Sequence, residues 1–283
     1  MEPFVIQTAA EHQHQLLLEG WIEQEQSLTA GFTTRKGGVS SPPFSSFNIG
    51  LHVHDQAEAV LANRRRLTDS LGFSFDAWTC GEQVHANKVA VVTANERGKG
   101  RSSMEDTLPG VDGIITNERD VLLTSFYADC VPLYFWDPQH HAVGLAHAGW
   151  KGTVSAIALN MVEAMRNAFG TEPHQLRCAI GPAIDQCCYE VNEVVIERIY
   201  ELWQQLALPN QLLDLVLKKQ NENKAMINLK EINRQIMIKA GILASHIEIS
   251  EWCTGCRRDL FYSHRMENGK TGRMASWIGL RKG

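Results

Sequence analysis

Three short segments carry side chains able to hold a divalent metal: Gln83-Val84-His85, Ala128-Asp129-Cys130 and Ala146-His147-Ala148-Gly149-Trp150. Two imidazoles and one thiolate, with water in the fourth position, are the composition of a catalytic zinc site, whereas a structural site closes that position with another residue. The chemistry on offer is activation of water or stabilisation of a leaving group. Each residue alone also fits a plainer role. A lone cysteine is commonly a small buried hydrophobe, and a histidine at a strand end is commonly structural or solvated.

Positioning these groups falls to mixed α and β elements. Short β-branched or aromatic runs bounded by Gly, Pro, Asp or His predict strands over 89–93, 113–116, 121–126, 133–136 and 142–146, another ending near Ile180, and one over 247–252. Apolar spacing predicts helices over 57–71, stopped by Gly72, and from a Thr153 cap through Val154, Ile157, Met161, Ala164 and Ala168 to just before Gly170. Two more are predicted over 192–206 and 229–240, the latter with Leu229, Ile232, Ile236 and Ala240 as its stripe. Cys130 and His147 then fall at the ends of neighbouring strands joined by the Asp137-Pro138 turn, where their side chains can converge. His85 comes from farther away, and spacing says nothing for or against it. The polar stretch 95–109, with Gly98, Gly100, Ser102 and Ser103, reads as a mobile loop rather than a domain linker. Central strands flanked by helices predict an α+β class fold, a single-domain layered α/β sandwich with mixed central sheets over residues 1–283.

Composition bounds what such a fold can do. Apolar residues make up 44% and charged residues 21%, enough for a sizeable core. A net charge of −5 and a pI near 6.1 give no global attraction to nucleic acid or to an anionic membrane. The dense basic run Arg64-Arg65-Arg66 sits inside a predicted helix and reads as a solvated face. The opening Met1-Glu2-Pro3-Phe4-Val5-Ile6-Gln7 lacks the basic and apolar regions of a secretory signal. No apolar run approaches the roughly 20 residues needed to span a bilayer. Seven scattered cysteines suit a reducing compartment, so a cytoplasmic protein with free thiols is expected. No Gly-x-Gly-x-x-Gly or Walker-type loop occurs, so a dinucleotide or P-loop site lacks its fingerprint.

Several words of the sequence occur together in a known order. They are Phe32-Thr33-Thr34-Arg35-Lys36-Gly37-Gly38-Val39-Ser40, Asn48-Ile49-Gly50-Leu51-His52-Val53, Asn63-Arg64, Gln83-Val84-His85, Ala128-Asp129-Cys130-Val131-Pro132 and His147-Ala148-Gly149-Trp150-Lys151-Gly152. Gly181-Pro182, Cys187-Cys188-Tyr189-Glu190-Val191, Phe261-Tyr262-Ser263-His264-Arg265 and Thr271-Gly272-Arg273 continue the series. Over nearly the whole chain this pattern resembles the YfiH-like family, also called the laccase-domain or polyphenol oxidase family. The resemblance implies a zinc site at His85, Cys130 and His147. It also implies a purine nucleoside phosphorylase acting on adenosine, inosine and methylthioadenosine, with adenosine deaminase activity and an older attribution of copper-dependent oxidation. The partners implied are a purine nucleoside and phosphate, with a homodimer as the candidate assembly. His54, Lys151 and Asp185 depart from residues common in the family and bear on fine substrate preference.

Residue chemistry can be set beside that implication. Deamination needs a proton carrier near the metal, and Asp129, next to Cys130, is favoured over Glu82; an equally fitting role for Asp129 is to orient a neighbouring group. Phosphorolysis needs donors for phosphate, and Arg35 with the Gly37-Gly38 backbone offers them, followed by Asn48, Arg64 and His52 as weaker polar candidates. A surface ion pair and a tight turn are the alternative for Arg35 and its glycines. Cys253-Thr254-Gly255-Cys256 has the spacing of half a zinc site but no second pair, and reads as packing. Adjacent Cys187 and Cys188 are not expected to face one metal and read as packing near a turn, with Tyr189 free to stack on a base. A multicopper cluster would need many His-x-His pairs; 11 histidines supply two, His12 with His14 and His52 with His54. Copper could still occupy the His-Cys-His site. Two other functions fit the same residues: a hydrolase editing a peptidoglycan precursor, with Cys130 and His147 as a nucleophile and base in one variant, or a copper-loaded polyphenol oxidase.

Overall fold

The computed structural model describes residues 2–7 and 15–282, so the His12–His14 pair lies outside the described residues. Alternation along the strands sorts the side chains into layers, because successive residues point to opposite faces of a sheet. In strand Val131–Asp137, Tyr134 and Trp136 face one apolar core while Leu133 and Phe135 face another. In strand Ala142–Ala148, Val143 and Leu145 join the first core, and Ala142, Ala146 and Ala148 join the second.

The resulting order is helix, sheet, sheet, helix. One sheet runs Phe4–Ile6, Gln15–Leu18, Leu28–Thr33, Met274–Leu280, Leu122–Tyr127 and Trp78–Cys80. The other runs Ile247–Ile249, Arg177–Ile180, Val131–Asp137, Ala142–Ala148, Gly113–Thr116 and Val89–Val91. Both are mixed: most pairs are antiparallel, but Trp78–Cys80 lies parallel to its neighbour, as do Val89–Val91 and Ile247–Ile249 to theirs. Phe32, Tyr127, Met274 and Ile278 of the first sheet meet Ile114, Tyr134, Trp136 and Leu145 of the second in the central core. The second sheet's far face is covered by helices Ile157–Phe169, Glu193–Gln205 and Leu229–Lys239, and the first sheet's by helix Ala57–Ser70 through Leu67. A small antiparallel sheet of Glu190–Asn192, Lys224–Ile227 and Leu217–Lys219 lies beside the helices. This is the mixed-sheet layered sandwich that the strand pattern implies.

Two local expectations change. The helix predicted from Thr153 is two helices, Trp150–Val154 and Ile157–Phe169, broken at Ala156, whose φ of +56° is left-handed. Thr153 does not cap; its buried hydroxyl accepts a hydrogen bond from Asn233 Nδ2 at 2.9 Å. The polar stretch 95–109 is tied down rather than loose. Gly98 N–H donates to Thr79, Cys80 N–H to the Lys99 carbonyl and Leu108 N–H to the Cys80 carbonyl, while the carbonyls of Gly100 and Arg101 accept from Arg64. No helix among the described residues is long and apolar enough to cross a membrane.

Candidate metal centre and its cavity

His147 is the next-to-last residue of strand Ala142–Ala148 and pairs across the ladder with Pro132. Cys130 closes the short turn between strands Leu122–Tyr127 and Val131–Asp137, and His85 lies in the loop that leaves Trp78–Cys80 for Val89–Val91. Their ligand atoms all lie within 4.8 Å of one another, and the two imidazole rings stand edge to face at 4.7 Å. The burial is graded: His147 is buried, Cys130 half-buried and His85 exposed. A group held by all three is therefore open on the His85 side, as a catalytic site requires.

The organiser of this trio is Asp112, which sequence reasoning missed. Its buried carboxylate accepts the N–H groups of Val84, His85 and Ala86 at 3.1, 2.9 and 2.8 Å, which bends the His85 loop around it. The same carboxylate lies 2.8 Å from His147 Nδ1. An ionised carboxylate only accepts, so Nδ1 carries the proton and Nε2 is presented to the site. His85 itself has a left-handed backbone, φ +62°. Gly149 completes the cradle: a Cβ there would stand 3.0 Å from the His85 ring and 3.1 Å from Cys130 Sγ.

Charge follows this geometry. Burial alone raises the Cys130 thiol, but the His147 charge and hydrogen bonds from both histidines outweigh it and bring the thiol down to about 6. Burial alone lowers His147, but Cys130 and Asp112 carry it up to about 9. Burial also opposes ionisation of Asp112, while His147 and the N–H groups of Ala86 and His85 hold it below its ordinary 3.8. A thiolate facing a cation is what this pocket stabilises, and two imidazoles with a thiolate are a donor set that suits zinc and also copper.

The centre opens into a cavity of about 680 Å³, whose wall also includes Glu82, Trp150, Lys151, Tyr189, Arg265 and Arg273. Arg265 donates to the Glu190 carbonyl at 2.6 Å and lies over the Tyr189 ring, 4.9 Å from its centroid. Arg273 is braced by the carbonyls of Thr271 and Gly272. Burial pushes the Tyr189 hydroxyl up to about 12, so it stays protonated at neutral pH.

Of the other sequence candidates, Asp129, Glu82 and His52 line this wall, whereas Arg35, Asn48 and Arg64 do not. Arg35 spends its guanidinium on Glu267 at 3.0 Å, the Ser45 and Arg258 carbonyls and the face of Tyr262. The N–H groups of Arg35, Lys36, Gly38, Val39 and Ser40 all donate within the protein, so this loop has no array of free donors for phosphate. Arg64 is fully buried, donating to the carbonyls of Ile49, Gly100 and Arg101 and packed against Trp78 and Phe126. Asn48 is buried and accepts from the N–H groups of Gly50 and Arg273, which puts it behind the cavity rather than in it. Asp129 is on the wall, but its two oxygens already accept from the Thr254 hydroxyl and the Arg265 N–H, both at 2.7 Å. These contacts suit it to positioning the Arg265 backbone. Glu82 is exposed at the cavity, with one oxygen accepting the Gly110 N–H.

Residues 29–281 match the family model described as multi-copper polyphenol oxidoreductase laccase, and the chain belongs to this family. It is 41% identical over 270 residues to the purine nucleoside phosphorylase YlmD of Bacillus subtilis, covering 94% of this chain and 95% of that protein. The crystal structure of YlmD from Geobacillus stearothermophilus superposes with a TM-score of 0.91 at 40% identity, covering both chains fully, 100% of each. That of the Bacillus licheniformis hypothetical protein YfiH gives 0.89 at 42% identity, over 95% of this chain and 97% of the other.

Proposed function

We propose that the chain is a zinc-dependent purine nucleoside phosphorylase. It converts adenosine, inosine and S-methyl-5'-thioadenosine to free base plus ribose 1-phosphate, with an accompanying adenosine deaminase activity. The observation that carries this reading is the make-up of one cavity, where the donors His85, Cys130 and His147 share a wall with the cations Lys151, Arg265 and Arg273. Its volume falls within the roughly 300–1,000 Å³ common for small-molecule sites, and the name of the Bacillus subtilis relative supports the substrate class.

Zinc held by the three donors would supply Lewis acidity toward a departing base or an attacking water. Arg265, Arg273 and Lys151 gather phosphate oxygens, the two arginines from positions fixed by backbone carbonyls and by Asp129. Tyr189 and Trp150 offer flat apolar faces to a purine. Glu82 is the exposed carboxylate in reach of the cavity and takes the proton-transfer role in place of Asp129.

Incubation with adenosine should release adenine and ribose 1-phosphate only when phosphate is present, with inosine as a side product. Base release at the same rate without phosphate would overturn the phosphorylase reading, and an absence of inosine would remove the deaminase. A second reading is favoured by one arrangement: Cys130, His147 and Asp112 form a nucleophile, base and orienter of the kind used by cysteine hydrolases. That reading requires turnover of an amide substrate to persist after chelation, with Cys130 alkylated at the same rate whether or not zinc is added.

A further inference from the structure

A second cluster of ligand atoms lies outside the trio just described. The sulfurs of Cys187, Cys188, Cys253 and Cys256 are all within 4.8 Å of one another. Four of the six separations are 3.7 Å for Cys187–Cys188 and Cys187–Cys253, and 3.5 Å for Cys187–Cys256 and Cys188–Cys256. Zinc–sulfur bonds of about 2.3 Å in a tetrahedron place sulfurs about 3.8 Å apart. The four atoms thus nearly outline the edges of a tetrathiolate site. One or two disulfides would bring paired sulfurs to about 2.05 Å, whereas all four cysteines are free and evenly spaced, as a shared centre requires.

The backbone is shaped to bring them together. A turn over 186–188, closed by the Cys188 N–H on the Asp185 carbonyl, swings both adjacent cysteines to one side. The second segment is aligned against the first by the Thr254 N–H on the Ala183 carbonyl and a bridge between Ala183 and Cys253. Asp185 N–H reaches Cys253 Sγ at 3.3 Å, a direct tie between the two segments. Lys230, buried, holds Asp185 at 2.6 Å and the carbonyl of Ser250 at 2.8 Å, which pins the two segments from behind. Between the paired cysteines of the second segment, Gly255 is required by space: a Cβ would meet Cys188 Cβ at 2.8 Å and Sγ at 3.0 Å.

We infer that Cys187, Cys188, Cys253 and Cys256 form a structural tetrathiolate zinc site, distinct from the His85–Cys130–His147 centre. Binding releases the protons of those thiols still protonated and forms four zinc–sulfur bonds, with no redox change. Its place in the fold gives it a task. Ile184 and Tyr189 flank the first segment and both line the cavity. Thr254 of the second segment donates to Asp129, which in turn holds the Arg265 N–H and precedes Cys130. Closing the cysteine knuckle therefore fixes one wall of the cavity.

The test uses the full chain, purified under reducing conditions and loaded with zinc. Two tightly held zinc ions per chain are expected in the wild type by elemental analysis, and one each in His85→Ala/His147→Ala and in Cys187→Ser/Cys256→Ser. In the His85→Ala/His147→Ala variant, peptide mapping should show Cys187, Cys188, Cys253 and Cys256 protected from iodoacetamide until chelator is added. Cobalt loaded into that same variant should give thiolate charge-transfer absorption of about four sulfurs per ion, with the red d–d bands of a tetrahedral centre. The protection and cobalt measurements do not depend on the cysteine variant folding, nor on the trio binding metal. No zinc retained by the histidine double variant, alkylation of the four cysteines at the same rate with and without zinc, or a disulfide among them in the reduced preparation would overturn the site.

Discussion

At the residue scale, the candidate centre depends on a carboxylate that is not itself one of the three ligands but holds two of them. Asp112 fixes the His147 ring and three successive N–H groups of the His85 loop, so Asp112→Asn should leave the fold intact while weakening zinc binding by about 10–100-fold, read by competition with a chromogenic chelator. Unchanged affinity would mean that the loop holds its shape without the charge. Arg35 poses the opposite case, a cation whose partners are internal. Burial raises the Glu267 carboxyl, but the Ser263 N–H, the Thr271 hydroxyl and Arg35 more than compensate and hold it below its ordinary 4.5. A lowered folded pKa gives stability that is full above 4.5 and is lost as pH falls through the lower folded value. Glu267→Gln should therefore cost about 1–3 kcal/mol at pH 7 and flatten the loss of stability below pH 4.5, in urea titrations across pH. It should leave the KM for phosphate unchanged; a raised KM would return Arg35 to the substrate.

At the element scale, helix Ile157–Phe169 is held to the second sheet by its apolar stripe, and Met161, fully buried, lies against Gly113 and Gly144 of that sheet. Met161→Ala should destabilise by about 2–5 kcal/mol in urea unfolding, with zinc affinity retained because the helix touches the core and not the ligands. A cost under about 0.5 kcal/mol would show that the helix is held elsewhere. Such periodic stripes explain what could be read from sequence: Gly113–Thr116 coincides with its prediction, and Ala57–Ser70, Glu193–Gln205 and Leu229–Lys239 lie within a residue of theirs. The strands that went unread, among them Trp78–Cys80, Leu28–Thr33 and Met274–Leu280, are no more buried than Gly113–Thr116 or Ala142–Ala148; small and polar residues such as Thr29, Gly31, Ser276 and Gly279 break up their apolar runs. His85, Cys130 and His147 were legible because imidazole and thiolate are rare and chemically distinctive. Asp112 looked like any acid before a strand. Arg35, Arg64 and Asn48 look like substrate grippers, yet buried polar groups must satisfy backbone atoms, and that requirement gives the same residue types. The two cysteine pairs stand 65 or more positions apart, and the parallel alignment of Ala183 with Cys253, with the hydrogen bonds around it, brings them together, a contact that spacing alone does not show.

At the scale of the whole molecule, the candidate metal ligands lie where the chain changes sheets. The segment carrying His85 leaves Trp78–Cys80 of the first sheet for Val89–Val91 of the second, and Cys130 turns from Leu122–Tyr127 in the first to Val131–Asp137 in the second. His147 belongs to the second sheet, so a metal held by all three ties two crossovers to one strand end. Binding to the folded chain alone stabilises it by mass action, about 2.7 kcal/mol when free zinc is a hundredfold above Kd. With roughly 2–4 °C per kcal/mol for chains approaching this size, the melting temperature should rise by about 5–10 °C. Because the cysteine knuckle would add its own response, the measurement belongs in the Cys187→Ser/Cys256→Ser background. There zinc should raise the melting temperature by that amount, chelator should reverse it, and a further His85→Ala should abolish it. If the zinc response survived in the triple variant, the stabilising ion would sit away from the sheet crossovers, and the trio would have to act without tying the sheets together.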